Sequence, residues 1–319
     1  MRAYQIQSAR AAAKIVDIAN REPNKGEVRL DIKACGLNFA DLLMLSGTYQ
    51  DTPPTPFTLG MEVAGVVNAI GPDTNGPHIG ERVAVFGGHG GLAEQGCYPV
   101  ERLLPLPGAM SFEHAAAFQI AYGTSHVALG YRARLQPGET LLVLGAAGGV
   151  GLTAVEVGKL MGARVMACAR GADKLAIAQQ AGADHLIDSS TADLRAEVKK
   201  LGGADVVYDP VGGELFEAAF RACNPEARIL TIGFASGEVP KILANHLLVK
   251  NISVLGFYWG GYMNFKPEVI IQSLTELISW YSDGKITPHI SHTLPLEQAA
   301  EGMELLRSRK STGKVVITV

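Results

Sequence analysis

From residue 140 onward, short runs of uniformly apolar residues alternate with longer segments in which apolar residues recur every three or four positions. Uniform apolar runs are typical of parallel strands buried on both faces, and the longer period is typical of amphipathic helices. The alternation predicts six parallel strands with intervening helices, which is a doubly wound α/β sheet. The predicted strands are 141–144, 164–169, 185–187, 205–209, 227–232 and 252–257.

The first 120 or so residues show no such alternation. Strand-like runs at 27–34, 62–70 and 82–86 are separated by turns rich in Pro and Gly, such as 51–56 and 71–80. Short strands between turn-forming segments predict a compact β barrel or sandwich. The sequence therefore predicts two domains of different class, which its length of 319 residues permits.

The end of the chain is predicted to return to the β domain. Two amphipathic helices, 267–283 and 296–308, precede a last apolar strand, 314–319. Because the six-stranded sheet leaves no place for this strand, we expect it to pair within the N-terminal domain and to make that domain discontinuous. The expected domains are 1–123 with 266–319, and 124–265.

Composition narrows the class of protein. The chain is 47% hydrophobic and 18% charged with a net charge of −3, which gives no reason to expect nucleic acid or an anionic membrane as a partner. No apolar run reaches the roughly 18 residues that span a bilayer, and the N-terminus lacks a signal-peptide core. The four cysteines include no CxxC pair, which argues against a disulfide framework or a cysteine-rich zinc site. We expect a cytoplasmic protein.

A glycine-rich turn follows the first strand of the predicted α/β sheet. Gly148, Gly149 and Gly151 lie between strand 141–144 and a predicted helix over about 150–161. Strand, glycine turn and helix are the context of a dinucleotide-binding loop, because glycine lets the backbone approach a pyrophosphate and the helix N-terminus offers free N–H groups. A glycine turn alone also serves any tight strand-to-helix connection.

Two cations after the second strand of this sheet favour NADP(H) as the cofactor. NAD-binding folds place an acidic residue there, about 20 residues after the glycines, to hold the ribose 2′-hydroxyl. This chain has Arg170, with Lys174 one helical turn later, and the nearest acid, Asp173, lies in the next predicted helix. Two cations suit a 2′-phosphate; the alternative is that both are solvated surface charges.

Several separate motifs, in one order, resemble the medium-chain dehydrogenase/reductase superfamily. The resemblance implies a catalytic β domain like chaperonin-10 (GroES-like), followed by a Rossmann cofactor-binding domain, and it extends over the whole chain. The motifs are CGLNFAD at 35–41, GMEVAGVV at 60–67, GERV at 80–83, AGGVG at 147–151 and TGKVV at 312–316.

The chain departs from the zinc alcohol dehydrogenases of that superfamily at two ligand positions. Asn38 stands where those enzymes have a cysteine ligand, and Met61 stands where they have a histidine. Amide and thioether groups are poor substitutes for thiolate and imidazole as zinc ligands. The spacing of Cys35, Glu62, His89 and Cys97 matches no pattern that would support another metal site. The pattern resembles the zinc-free quinone oxidoreductase branch, which includes zeta-crystallin.

The resemblance implies hydride transfer from NADPH to quinones or conjugated enones, which are acceptors that take up the incoming charge on their own oxygen. Asn38 is the first candidate catalytic residue, as a hydrogen-bond donor to the substrate carbonyl or the nicotinamide ribose. Tyr49 matches the pocket tyrosine of the family and is the second candidate, as a hydrogen-bond or proton donor. The alternatives are that Asn38 caps the next helix together with Asp41 and that Tyr49 is an ordinary loop aromatic.

The family resemblance adds further cofactor contacts by position. Gly233, Phe234 and Phe257 end predicted strands, where ligands collect in doubly wound folds, although core or subunit packing is an alternative for the aromatic stretch 256–260. Arg309 matches a cofactor-contacting arginine of the bacterial quinone reductases. The remaining expected contacts are Ala147, Gly148, Gly149 and Val150 at the pyrophosphate, and Thr124 beside the nicotinamide.

The outer edge of strand 252–257 is expected to be exposed in a monomer, so a homodimer through this edge is predicted.

Two other functions remain open. An NADPH-dependent 2-enoyl-CoA reductase would use the same chemistry, although no Lys/Arg cluster at 40–60 or 255–270 indicates a CoA site. A non-catalytic NADPH-binding structural or RNA-binding protein fits the zeta-crystallin resemblance, although no basic stripe favours RNA.

Overall fold

The structure is a computed structural model that describes residues 1–8 and 11–319. The helices, in chain order, are α1 (Phe39–Ser46), α2 (Phe112–Ala116), α3 (Gln119–His126), α4 (Gly149–Leu160), α5 (Ala172–Gln180), α6 (Leu194–Lys200), α7 (Gly213–Ala222), α8 (Ala244–Lys250), α9 (Trp259–Phe265), α10 (Pro267–Ser282) and α11 (Ala299–Arg307). The strands are β1 (Arg2–Ile6), β2 (Lys14–Asp17), β3 (Glu27–Gly36), β4 (Phe57–Thr58), β5 (Glu62–Ile70), β6 (Arg82–Phe86), β7 (Gln95–Pro99), β8 (Leu103–Pro105), β9 (Thr140–Leu144), β10 (Arg164–Ala169), β11 (His185–Asp188), β12 (Ala204–Asp209), β13 (Cys223–Thr231), β14 (Ser253–Gly256), β15 (Ile290–Pro295) and β16 (Lys314–Thr318).

The described residues form two units. The first comprises Met1–Ile120 and Thr287–Val319, and the second comprises Ala121–Ile286. The second boundary follows helix α10, whereas the predicted boundary precedes it. The reason is packing within the second unit, because α10 contacts α9 and its Trp280 meets His126 edge-on with ring centroids 5.1 Å apart. Within the described residues, no helix is long and apolar enough to cross a membrane.

The sheet of the second unit has six parallel strands in the order β11-β10-β9-β12-β13-β14. Numbered from β9, this is the 3-2-1-4-5-6 order of dinucleotide-binding folds, which confirms the predicted doubly wound sheet. Every residue of β9 is buried, as expected for a strand covered on both faces. In such sheets ligands bind outside the carboxyl ends of the strands, at the point where the order reverses, which here lies between β9 and β12.

The first unit consists mainly of antiparallel strands. Its larger sheet has the order β15-β16-β3-β5-β6-β8, with β7 also paired to β3, and its smaller sheet has the order β2-β1-β4. The last strand, β16, pairs antiparallel with β3, which confirms that the end of the chain returns to the N-terminal domain. Strand β15 was not predicted, because its residues are polar at several positions and none of them is fully buried.

Candidate active site

The glycine turn connects β9 to α4 at the carboxyl end of the parallel sheet. Gly148 is the N-cap residue of α4, and the helix begins at Gly149. A Cβ on Gly151 would lie 2.2 Å from the carbonyl oxygen of Gly145, whereas a Cβ on the exposed Gly148 would meet nothing closer than 3.4 Å. The turn itself therefore requires glycine at 151, whereas glycine at 148 leaves the backbone open to approach from solvent.

The first turn of α4 presents backbone N–H groups without acceptors. The N–H of Leu152 bonds to the carbonyl of Gly148 at 2.8 Å, but the N–H groups of Gly149, Val150 and Gly151 have no acceptor among the described residues. Unsatisfied N–H groups and the helix dipole together favour an anion at this position. The turn fits the pyrophosphate that the sequence leads us to expect there.

Buried hydroxyl groups support this turn from beneath. The Ser125 and Thr153 hydroxyls lie 3.0 and 3.1 Å from the Val150 carbonyl and 2.8 Å from each other. The Tyr208 hydroxyl, at the end of β12, lies 3.2 Å from Ser125 Oγ. Helix α3, helix α4 and strand β12 are thereby joined directly behind the N–H groups, which fixes their direction.

The two expected phosphate-binding cations lie at the same edge of the sheet. Arg170 follows β10 directly and is exposed, and Lys174 lies in the first turn of α5. Sequence reasoning missed an acid beside them, since Asp188 at the end of β11 accepts from the backbone N–H of Gly171 at 3.1 Å. The hydroxyl and backbone N–H of Ser190, followed by that of Gly171, lower the pKa of Asp188. This edge therefore carries a carboxylate whose Oδ1 is already occupied by protein donors.

The other expected cofactor residues of the second unit have different surroundings. Thr124 is buried within α3. Gly233 and Phe234 follow β13, and Phe234 is exposed. Phe257 is buried directly after β14, with its ring centroid 5.6 Å from that of Tyr262 in α9. The aromatic stretch after β14 thus packs at least partly on its own unit.

A buried polar cluster lies in the first unit where β3, β5 and β16 meet. Asn38 follows β3, Glu62 begins β5 and Lys314 begins β16. Lys314 Nζ lies 2.7 Å from Glu62 Oε1 and 2.7 Å from Asn38 Oδ1. The side chains of Lys314 and Glu62 are 5% and 0% exposed, so both charges are removed from water. The cluster joins residues that are 252 and 276 positions apart in the chain.

Glu62 is surrounded by hydrogen-bond donors. Its Oε1 accepts from Lys314 and, at 3.0 Å, from Asn38 Nδ2. Its Oε2 accepts from the backbone N–H of Ile120, in the first turn of α3, at 2.9 Å. A buried carboxylate without such partners would be strongly unfavourable, so this set of donors accounts for an acidic residue at the start of an apolar strand.

The cluster fixes the orientation of the Asn38 amide. An ammonium group only donates, so the Asn38 atom that faces Lys314 must be the amide oxygen. Both amide hydrogens then point to protein acceptors, Glu62 Oε1 at 3.0 Å and the Gly36 carbonyl at 3.2 Å. Asn38 has no hydrogen left to donate, which corrects the donor role expected from the sequence. Its oxygen keeps one lone pair as an acceptor.

Asp41 holds the same segment from within α1. Its carboxylate accepts from the backbone N–H of Asn38 at 2.8 Å and from that of Gly60 at 3.2 Å. Burial raises the pKa of Asp41 to about 7, although the two N–H donors and Lys314 oppose the shift. Because Asn38 is also the N-cap residue of α1, the helix-capping interpretation of this pair describes part of its role.

Tyr49 and Arg309 also lie in the first unit. Tyr49 is half-buried in the loop after α1, and its backbone carbonyl accepts from Thr52 Oγ1 at 2.7 Å. Arg309 is exposed directly after α11, with a positive φ of 56°. The structure therefore places Asn38, Tyr49 and Arg309 in the first unit and the other expected site residues in the second.

Comparison with known families agrees with this architecture. Residues 24–108 match the alcohol dehydrogenase GroES-like domain, and residues 149–278 match the zinc-binding dehydrogenase family. A quinone oxidoreductase-like protein 2 homolog from Nematostella vectensis is 39% identical over 297 residues, which cover 91% of this chain and 81% of that protein. The chain belongs to the quinone oxidoreductase-like proteins of the medium-chain dehydrogenase/reductase superfamily.

Two solved structures of this family are similar to the chain over its whole length. The quinone oxidoreductase of Thermus thermophilus, determined also in complex with NADPH, has a TM-score of 0.89 at 34% identity, with 100% of both chains covered. The Escherichia coli quinone oxidoreductase complexed with NADPH has a TM-score of 0.92 at 28% identity, with 100% of this chain and 99% of that chain covered. They confirm the combination of a GroES-like domain with a Rossmann-like sheet.

One matching family is named for zinc, but the donor set of this chain does not fit a zinc ion. Among the described residues, no three His, Cys, Asp or Glu side chains are grouped to hold a metal. Where Asn38 and Glu62 converge, the Lys314 ammonium stands between their oxygens. Burial, followed by the charges of Asp41 and Glu62, raises the pKa of Cys35 well above its usual range, so this buried thiol is protonated in the structure.

Sequence reasoning left three buried charged residues without a role. Glu62 and Lys314 belong to quoted motifs, and a charge at the start of an apolar strand is the signal of a buried partner. Asp209, at the end of β12, is the third, and its Oδ1 accepts from the N–H groups of Val211 and Gly212 at 2.8 and 2.9 Å. Burial raises the pKa of Asp209, and the residue holds the turn at the carboxyl edge of the parallel sheet.

Proposed function

We propose that the protein is an NADPH-dependent oxidoreductase that reduces quinones or conjugated enones by hydride transfer without a metal ion. The observation that carries this proposal is the turn at 148–151, whose free N–H groups lie where the sheet order reverses. Similarity to two quinone oxidoreductases determined with NADPH supports the choice of cofactor. When bound, NADPH supplies the hydride, and the chain supplies binding, orientation and electrostatics.

The residues of the second unit fit the anionic parts of NADPH. Ala147, just before the helix, and the first turn of α4, which includes Val150, would hold the pyrophosphate through their backbone. Arg170 would pair with two oxygens of the 2′-phosphate, whereas Lys174 would act as a point charge. Thr124 would lie toward the nicotinamide half. Asp188 is held in its charged form by hydrogen bonds that lower its pKa, so Arg170 and Lys174 would also have to offset its repulsion of the phosphate.

In the first unit, Asn38 would act as a hydrogen-bond acceptor and Tyr49 as a hydrogen-bond or proton donor. The free lone pair of Asn38 Oδ1 would accept a hydrogen bond from a hydroxyl group of the bound ligand. Asn38 would not donate, since both hydrogens of its amide group bond to acceptors within the protein. Tyr49 is then the hydrogen-bond or proton donor to the oxygen of the acceptor. A quinone or enone takes up negative charge on that oxygen as the hydride arrives, so one positioned O–H donor stabilises the developing charge.

The test is to follow NADPH oxidation with an o-quinone, a 2-alkenal and crotonyl-CoA, each with and without a chelator, and with NADH in parallel. We expect rapid oxidation of NADPH by the quinone, unchanged by the chelator and slower with NADH, and a lower kcat in Tyr49→Phe. Faster reaction with crotonyl-CoA would reassign the protein to acyl-thioester reduction. Bound NADPH that no acceptor oxidises would show a binding protein and overturn the proposal.

We also propose that the protein forms a homodimer through strand β14. This strand is at one edge of the parallel sheet, and α8 immediately before it exposes Leu248 and Val249 at 78% and 75%. An unpaired strand edge beside exposed apolar side chains favours association with a second copy. Light scattering is expected to give a dimer for the wild type and a monomer for Leu248→Glu/Val249→Glu; a dimer in both would place the interface elsewhere.

A further inference from the structure

We infer that Asp209 is a further binding residue of the proposed cofactor site, and that its Oδ2 accepts a hydrogen bond from a hydroxyl group of the nicotinamide ribose. Asp209 ends β12 and is 0% exposed, yet none of the described residues donates to its Oδ2. The inference rests on the proposed function, because it names the part of NADPH that this oxygen would bind.

The two carboxylate oxygens of Asp209 have different surroundings. Oδ1 accepts from the backbone N–H groups of Val211 and Gly212, at 2.8 and 2.9 Å, and so holds the turn that follows β12. Oδ2 is buried and has no donor among the described residues. A buried carboxylate oxygen without a donor has lost its hydration and has no hydrogen bond to replace it, which is unfavourable. Burial accordingly raises the pKa of Asp209, although the two N–H donors oppose the shift.

Asp205, near the other end of β12, is a fully paired carboxylate in the same strand. Its Oδ2 accepts from the backbone N–H of Thr140 at 2.8 Å, and its Oδ1 accepts from Asn224 Nδ2 at 2.8 Å. Asp205 lies at the amino end of the strand, whereas Asp209 lies at the carboxyl end, where doubly wound sheets bind their ligands. The unpaired oxygen is therefore at the ligand-binding edge of the sheet.

Three segments that leave the carboxyl edge of the sheet meet around Asp209. The turn after β9 packs on the turn after β12, since a Cβ on Gly145 would lie 3.0 Å from Val211 Cγ2. The segment after β13 bonds to the same turn, because the N–H of Ile232 donates to the Asp209 carbonyl at 2.9 Å. Asp209 thus lies beside the proposed pyrophosphate turn, at the point where the strand order reverses.

The position of β12 in the sheet selects the nicotinamide half of the cofactor. A doubly wound sheet consists of two mononucleotide-binding halves, and a dinucleotide lies across the crevice between them. In the first half, Arg170 follows β10 and would bind the 2′-phosphate of the adenosine ribose. Strand β12 begins the second half, so the sugar on its side would be the nicotinamide ribose. The hydroxyl groups of that ribose can donate, and an ionised carboxylate only accepts.

The test compares Asp209→Asn with the matched control Asp205→Asn. In Asp209→Asn the amide oxygen keeps the two N–H bonds of the turn, while an NH2 group that accepts no hydrogen bond replaces Oδ2. We expect NADPH affinity, measured by fluorescence titration, to fall about tenfold. Tm without ligand should equal or exceed that of the wild type, because an incompletely paired buried charge is removed. Asp205→Asn should show the reverse pattern, with a lower Tm through the loss of one acceptor and wild-type NADPH affinity.

Adenosine 2′,5′-bisphosphate separates the two halves of the cofactor, because it carries a 2′-phosphate but no nicotinamide ribose. We expect Asp209→Asn to bind it with wild-type affinity. Wild-type affinity of Asp209→Asn for NADPH, or an equal loss for both ligands, would overturn the inference. A fall in Tm as large as that of Asp205→Asn would also overturn it, since Oδ2 would then be paired within the protein. A wild type that binds neither ligand would overturn the proposed function, and the inference with it.

Discussion

The two candidate sites are assembled in different ways. The turn at 145–151 is one continuous stretch, and the groups it offers to a ligand are backbone N–H groups that any helix N-terminus presents. The cluster of Asn38, Glu62 and Lys314 is drawn from the ends of three strands, and it consists of side chains that only the fold brings together. The first kind of site is encoded locally, whereas the second depends on the packing of distant segments.

The comparison predicts that pH acts on the first unit through Asp41, which holds Asn38 beside the cluster, whereas the glycine turn at 148–151 contains no titratable side chain. The folded pKa of Asp41, about 7, lies above its unfolded value, so the folded state keeps a proton that the unfolded chain has released. The free energy of unfolding should therefore fall as pH rises from about 4 to about 7 and level off above that. The contribution of Asp41 amounts to at most about 4 kcal/mol.

The measurement is denaturant unfolding, followed by circular dichroism, of the wild type and Asp41→Asn across this pH range. The difference in unfolding free energy, wild type minus variant, should decrease with rising pH. A constant difference for Asp41→Asn would mean that the N–H donors of Asn38 and Gly60 cancel the effect of burial on the pKa of Asp41.

The turn should break when its backbone is crowded. In Gly151→Ala the new Cβ would lie 2.2 Å from the Gly145 oxygen, so the first turn of α4 must move. We expect NADPH affinity, measured by fluorescence titration, to fall by about 100-fold or more, which is roughly 3 kcal/mol, together with a lower Tm.

Gly148→Ala is the matched control for this change. Its Cβ would meet nothing closer than 3.4 Å, so Tm should stay that of the wild type while NADPH affinity falls by about tenfold through contact with the ligand. Wild-type affinity in Gly148→Ala would show that the pyrophosphate does not approach this face.

The side chains of the cofactor site in the second unit should have a smaller and more selective effect than the glycine turn. Arg170→Ala removes a fork of donors suited to the 2′-phosphate, so NADPH affinity should fall by roughly 10- to 100-fold while NADH affinity is unchanged. Lys174→Ala should lower NADPH affinity less than Arg170→Ala does, because an ammonium is a point charge without a fork of donors. An equal loss of affinity for NADPH and NADH would indicate that Arg170 stabilises the fold at this edge of the sheet and does not recognise the 2′-phosphate.

What the sequence predicts follows the same division. The six parallel strands, the glycine turn and the return of β16 are visible in apolar periodicity and in local turn chemistry. The pairing of Glu62 with Lys314 is not visible in the sequence. A motif identifies the neighbours of each residue along the chain but not its partner across the sheet. The donor role expected for Asn38 was wrong for the same reason. Its amide hydrogens bond to Glu62 and Gly36, and the sequence does not reveal which donors are already paired within the fold.

The smallest predicted effect tests whether the glycine turn depends on support from residues distant in the chain. Ser125 Oγ is buried beneath the turn and lies 3.0 Å from the Val150 carbonyl and 3.2 Å from the Tyr208 hydroxyl, so Ser125→Ala should destabilise the protein by about 1–2 kcal/mol. NADPH affinity should fall only a few-fold, since the N–H groups remain but are held less firmly. Ser282→Ala, which removes an exposed hydroxyl bonded within α10, is the control and should change neither quantity. If Ser125→Ala also left NADPH affinity at the wild-type value, the turn would be organised by its own backbone alone. The predicted few-fold loss would instead mean that a helix N-terminus becomes a binding site only when more distant segments hold it still.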